Sequence, residues 1–110
     1  EAYNLPLGAI SRLFRCTAAG QPCHITSVGL GTFVDPVHGG GKLNDMTTED
    51  LVTYVELYGH TYLAFKALPI DCALIRGTTA DSDGNLTMER ESLYCDARMQ
   101  AMAARATRGV

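Results

Sequence analysis

A chain of 110 residues with 46 % hydrophobic and 19 % charged residues is one globular domain or a piece of one, long enough to bury about two-thirds of its unfolded surface. A formal charge of −3 without any Lys/Arg run excludes the basic footprint of a nucleic-acid binder. No apolar run reaches the ~20 residues that cross a bilayer, so no membrane partner is expected.

Nothing at Glu1 resembles a signal peptide, and the expected setting is cytoplasmic. The opening on Glu1 rather than Met, and the break after Arg108-Gly109-Val110, point to an excised or truncated piece. Asn4 is the expected N-cap of a first helix of about 14 residues, with Pro6 in its first turn and Gly20 as its stop. Leu7, Ile10, Leu13, Phe14 and Ala18 recur at helical spacing. Pro22 forbids continuation, and the alternation from His24 to Val28 predicts a strand. His24 reads as a half-buried or edge histidine rather than a ligand.

Val28 to Asn44, V-G-L-G-T-F-V-D-P-V-H-G-G-G-K-L-N, holds five of the eleven glycines. A glycine-studded loop beyond the carboxyl end of a strand is where α/β proteins place ligands, because glycine lets backbone approach them closely. The phosphate-loop pattern fails, with Pro36 six places before Lys42 and Leu43 after it. The dinucleotide fingerprint fails as well, since Val34 stands where the third glycine belongs. On composition alone this segment is a flexible connector.

Thr47 or Thr48 caps an expected short helix over Glu49 to Val52. Val52 to Tyr58 and Thr61 to Ala67 are rich in β-branched and aromatic residues and predict a hairpin turning at Gly59, with a helix through Thr47 to Leu57 as the alternative. Ile70 to Ile75, a near-continuous apolar run, predicts a strand of a sheet covered on both faces, with Asp71 as a structural exception. Asp83-Gly84 signals a further hairpin. It is not a calcium loop, because Gly84 stands fourth from Asp81 rather than sixth.

The last helix begins between Thr87 and Ser92. Glu89, Glu91 and Asp96 come early and Arg105 and Arg108 late, as the helix dipole favours. Leu93, Ala97, Ala101 and Ala104 form a small-residue stripe expected to lie on a sheet, with Met99 and Met102 filling gaps. Cys16, Cys23, Cys72 and Cys95 have no C-x-x-C spacing and read as packing thiols rather than zinc ligands or disulfides. The predicted fold class is α/β, a partly parallel sheet with helices on its faces.

Three segments together resemble the first, alpha-type domain of the acetate/acetoacetate-type (family I) CoA-transferases. The first is Val28-Gly-Leu-Gly-Thr-Phe-Val-Asp-Pro with Gly40-Gly-Lys-Leu-Asn-Asp. The second is Leu68-Pro-Ile-Asp-Cys-Ala-Leu-Ile-Arg-Gly-Thr-Thr-Ala-Asp, continuing through Asp83-Gly-Asn-Leu-Thr-Met-Glu. The third is the small-residue helix ending Ala101-Met-Ala-Ala-Arg-Ala. The likeness is similar in particular to the bacterial short-chain acyl-CoA transferases that carry both halves on one chain.

The resemblance implies a piece from the middle of a Rossmann-like domain. It implies ping-pong transfer of coenzyme A from an acyl-CoA to a free carboxylate through a glutamyl-CoA thioester. The family draws its nucleophile from an E-x-G motif in its second half, and part of its oxyanion stabilisation from a Gly-Gly-Phe loop upstream of the matched region. None of Glu1, Glu49, Glu56, Glu89 or Glu91 is followed by x-Gly, and no Gly-Gly-Phe occurs. No catalytic residue and no metal ligand is therefore assigned here, and coenzyme A enters as substrate rather than cofactor.

The resemblance places Gly29, Gly31, Thr32, Phe33 and Asp35 in a wall of the acyl-CoA site, with Thr32 as a hydrogen-bond donor and Asp35 orienting a neighbour. Expected partners are an acyl-CoA or short-chain carboxylate and the missing transferase segments or a second subunit. Open sheet edges add an expected homo-oligomer. The alternative is a stand-alone acyl-CoA- or nucleotide-binding module, or a structural oligomer, without catalysis.

Overall fold

Helix α1, Leu7–Ala18, turns Ala9, Leu13 and Cys16 inward, an i, i+4, i+7 stripe that a single helical face supplies. These elements come from a computed structural model that describes residues 1–94 and 96–107, so Cys95, Arg108, Gly109 and Val110 lie outside the described residues. The helix has 12 residues rather than about 14, and its N-cap is Pro6. Asn4 stays outside because its N–H donates to the Gly41 carbonyl at 2.8 Å, next to an antiparallel bridge between Tyr3 and Lys42. The C-terminus closes as expected at Gly20, in the left-handed region at φ +69°. There the Gly20 N–H reaches the Thr17 carbonyl at 3.1 Å and the Gln21 N–H the Cys16 carbonyl at 2.8 Å, a Schellman closure.

Strands β1, Cys23–Thr26, β2, Val52–Leu57, and β3, His60–Lys66, form one sheet in the order β1-β3-β2. Every pairing in it is antiparallel, which corrects the partly parallel sheet. The two residues between β2 and β3 allow only a hairpin, since parallel neighbours need a crossover of a dozen residues or more. The turn is Tyr58-Gly59, both residues at positive φ (52° and 78°), the primed geometry that matches the twist of the flanking strands.

Alternation along β3 drives Leu63 and Phe65 into full burial. Around them close Ala9 and Leu13 of α1, Val52 of β2 and Val34 of the glycine loop, with Leu5 and Ala67 at the margin. The core thus has a helix and a loop on one face of a three-stranded sheet.

Two further expectations fail for identifiable reasons. No helix forms over Glu49 to Val52, because β2 already begins at Val52; the Glu1 carboxylate accepts the Thr48 and Glu49 N–H groups there at 3.2 and 3.3 Å. Ile70 to Ile75 forms no strand, and Leu74 is 93 % exposed. A strand exists only by pairing, and none of the described strands takes this run as a neighbour.

Beyond it, β4, Thr79–Ala80, and β5, Leu86–Thr87, make the small antiparallel hairpin expected around Asp83-Gly84. Its loop is held by the Asp81 carboxylate, which accepts the Asn85 N–H at 2.8 Å. Helix α2, Ala97–Thr107, lies against α1 rather than on the sheet. Ala103 and Ala104 are buried while Ala101 and Leu93 are exposed, so the stripe is rotated from the expected one. A hydrogen bond from Ser11 of α1 to the Asp96 carboxylate ties the start of α2 to that helix.

The radius of gyration, 16.2 Å, exceeds the roughly 13 Å of a spherical domain of this length. The excess reflects the residues after Ala67, which form a two-strand hairpin and α2 but add no member to the core cluster.

Tyr58 is 97 % exposed and left-handed, a conformation that costs a bulky residue about 1 kcal/mol and asparagine less. Tyr58→Asn should therefore raise the stability of the protein by about 1 kcal/mol in urea denaturation. A midpoint at or below that of the wild type would refute the turn assignment.

Candidate functional site

The loop between β1 and β2 is organised by a single carboxylate. Asp35 is only 5 % exposed. Its Oδ2 accepts the Gly31 N–H at 2.8 Å, and its Oδ1 accepts the Val37 N–H at 3.2 Å and the Tyr54 hydroxyl. Its carbonyl accepts the N–H groups of His38 and Gly40 at 2.9 and 3.0 Å. The side chain thereby caps the 3₁₀ turn Pro36–His38, with Pro36 supplying the fixed φ that opens it.

These donors act on the charge. The Gly31 N–H above all, then the Tyr54 hydroxyl and the Val37 N–H, with His38 nearby, hold the Asp35 carboxyl below the usual carboxylate range. Reciprocally, the hydrogen bond to Asp35 raises the Tyr54 phenol above its ordinary value.

The two glycines after β1 differ. Gly29 sits at φ +105°, and a Cβ there would stand 2.5 Å from Val34 Cγ2 and 3.2 Å from Leu63 Cδ1. Gly31 also has positive φ, +73°, but nothing lies within 4 Å of where its Cβ would be. Gly29 is thus a packing requirement, letting the loop press onto the core, whereas Gly31 serves by its N–H and backbone angle. The Thr32 hydroxyl donates to the Gly29 carbonyl at 2.7 Å. Phe33 is turned out, 55 % exposed.

The five residues singled out in the sequence therefore share one loop but face different ways. Asp35 and Gly29 work inward. Thr32 and Phe33 form the outer edge, with Gly31 between. A cavity of about 390 Å³ is lined by Pro36, Gly39, Gly40, Lys42, Val52 and Tyr54 among others, and by none of these five. It is no phosphate cradle, because Lys42 is ion-paired with Asp50 and also bonds the Thr48 carbonyl at 3.3 Å. Among the described residues, no group of His, Cys, Asp and Glu side chains is arranged to hold a metal ion. Cys16, Cys23 and Cys72 are free thiols.

Tyr54 is the site residue that sequence reasoning missed, because its aromatic character registers only as strand propensity. The available signal was parity. Tyr54 is two residues from buried Val52 and so on the same face of β2, from which its hydroxyl reaches the loop at Asp35.

Two outcomes follow. Gly29→Ala should destabilise the protein by about 3 kcal/mol, from clash and strain together, while Gly31→Ala should cost only about 1 kcal/mol. Equal costs in urea titration would contradict the packing role of Gly29. For Asp35 the folded pKa lies below the unfolded value of about 3.9, so its stabilisation is complete above that value and disappears as pH falls through the folded pKa. Wild type should be more stable than Asp35→Asn at neutral pH, and the gap should close as pH falls below about 4 toward the folded pKa. A gap independent of pH would contradict the ionised role.

A family profile described as coenzyme A transferase matches residues 1–108. Acetate CoA-transferase YdiF of Escherichia coli strain K12 is 47 % identical over 109 residues, which are 99 % of this chain and 20 % of that protein. Caffeate CoA-transferase of Acetobacterium woodii is 49 % identical over 108 residues, 98 % of this chain and 21 % of that protein. The crystal structure of the acyl-CoA transferase YdiF from E. coli O157:H7, a thioester complex with CoA, matches with a TM-score of 0.94 at 47 % identity, covering 99 % of this chain and 21 % of that one. The chain spans about a fifth of the length of the curated relatives it matches. A profile match along nearly the whole chain, near-half identity to two transferases and the same backbone place it without ambiguity: the chain belongs to the coenzyme A transferase family.

Proposed function

We propose that these residues form part of a cytoplasmic enzyme that moves coenzyme A from a short-chain acyl-CoA to a free carboxylate. The loop from Gly29 to Asp35 is a wall of the acyl-CoA site, and the nucleophilic carboxylate lies outside these residues. The observation that carries the reading is the outer edge of that loop. A chain similar to a transferase solved as its CoA thioester turns an aromatic ring, Phe33, into solvent from a backbone whose polar groups are occupied internally. An exposed ring on a rigid loop offers an apolar contact at low entropic cost.

Four of the chain's five glutamates, all but Glu56, are engaged in structural contacts. Glu1 bonds Thr48 and Glu49, Glu49 pairs with Lys66, Glu89 accepts from Thr79 and Thr87, and Glu91 pairs with Arg76. Hydrogen bonds hold the carboxyls of Glu1 and Glu89 below their ordinary range, which weakens a carboxylate as a nucleophile. What these residues contribute is binding and shape rather than bond making. The same reading expects a homo-oligomer or docked transferase segments along β1 and β2, the two outer strands of the sheet.

The test uses the full-length protein that carries these residues, with acetyl-CoA as donor and propionate as acceptor. Expected are propionyl-CoA and a ping-pong rate pattern. Phe33→Ala should raise the KM for acyl-CoA about tenfold while kcat stays within about threefold. No exchange between any pair of short-chain acids would overturn the activity. Exchange with an unchanged KM in Phe33→Ala would overturn the placement of the loop.

A further inference from the structure

Between β1 and Val34 the glycine loop is joined mainly by bonds to itself. Leu30 N–H reaches the Ser27 carbonyl at 3.3 Å, Thr32 N–H the Gly29 carbonyl at 3.0 Å and Asp35 N–H the Thr32 carbonyl at 3.0 Å. Such turns fix local shape but not orientation relative to the sheet. Val34, Asp35 and a bond from the Gly41 N–H to the Phe33 carbonyl at 3.1 Å supply the orientation. Val34 is fully buried in the core, and Asp35 is bonded across to Tyr54 on β2.

The backbone of Tyr54 is fixed by its pairing in register with Leu63 of the central strand, and its half-exposed ring is held at the hydroxyl by Asp35. Its hydroxyl and the Gly31 N–H occupy different oxygens of the same carboxylate. The chain of contact therefore runs from sheet to phenol to carboxylate to Gly31, and ends at the adjoining Thr32 and Phe33.

We infer that Tyr54 is a positioning residue for acyl-CoA binding, acting through Asp35 and Gly31 to hold Thr32 and Phe33 in their outward arrangement. This rests on the functional reading above. The phenol touches no reacting group, so its loss is felt in substrate binding rather than in the chemical step. Asp35 keeps both backbone donors without Tyr54, and Val34 remains buried, so removing one hydroxyl loosens the outer loop and leaves the core folded.

The test compares wild type, Tyr54→Phe, Asp35→Asn and the double variant in the full-length protein. Amide exchange at Gly31 and Val37 should accelerate about tenfold in Tyr54→Phe, while Leu63 and Phe65 keep their protection. In the same variant the KM for acyl-CoA should rise about fivefold with kcat within about twofold. The double variant should bind no worse than the weaker single variant, because both changes break one linkage.

Unchanged exchange at Gly31 and Val37, or additive effects on KM, would overturn the inference. Loss of protection at Leu63 and Phe65 as well would overturn it in favour of a folding role. A wild-type protein without CoA exchange defeats the functional reading on its own, and the amide comparison then still decides whether Tyr54 holds the loop.

Discussion

The arrangement depends on one buried carboxylate. Asp35 is the point at which the loop after β1, the 3₁₀ turn and the β2 edge of the sheet meet. An ionised group so far out of water persists only when its oxygens are hydrogen-bonded, and here two backbone N–H groups and a phenol do this. The return is rigidity. A connection rich in glycine, which pays heavily in conformational entropy when ordered, is drawn into one conformation by a polar knot and by the burial of Val34 beside it.

The knot also changes what the glycines mean. A glycine-rich loop is commonly read as backbone laid bare for a ligand, yet several N–H groups here already have partners inside the chain. Gly29 is required by the approach of Val34 and Leu63, a core constraint. What the loop leaves exposed is its side-chain edge, chiefly Phe33. Lys42, the cation that most tempts a phosphate reading, is neutralised by Asp50. The electrostatics of the loop thus favour an apolar contact over an anion cradle.

The protein is also uneven along its length. The sheet, α1 and the loop share a core centred on Leu63 and Phe65, whereas the run through Ile70 to Ile75 stays unpaired by any described strand and α2 returns to lie on α1. Apolar residues such as Leu74 and Leu93 are consequently exposed.

Local signals were legible in the sequence alone. The helical period of Leu7 to Ala18, the stop at Gly20, the hairpin at Gly59 and the tight turn at Asp83-Gly84 all depend on neighbours a few residues apart. Sequence motifs spread over the chain likewise sufficed for the family, and the glycine loop was visible as its conspicuous feature. Only the tertiary structure decided the rest. The pairing of β1 with β3, the extension of β2 where a helix was expected, the run at Ile70 left without a strand partner among the described residues and the packing of α2 on α1 each depend on partners distant in the chain. The division of the loop into an inward Gly29 and Asp35 and an outward Phe33 required the packing of Val34 and the reach of Tyr54 from 19 residues away. Hydrophobic period and turn chemistry are properties of short stretches, whereas pairing, burial and the partner of a buried charge are properties of the folded whole.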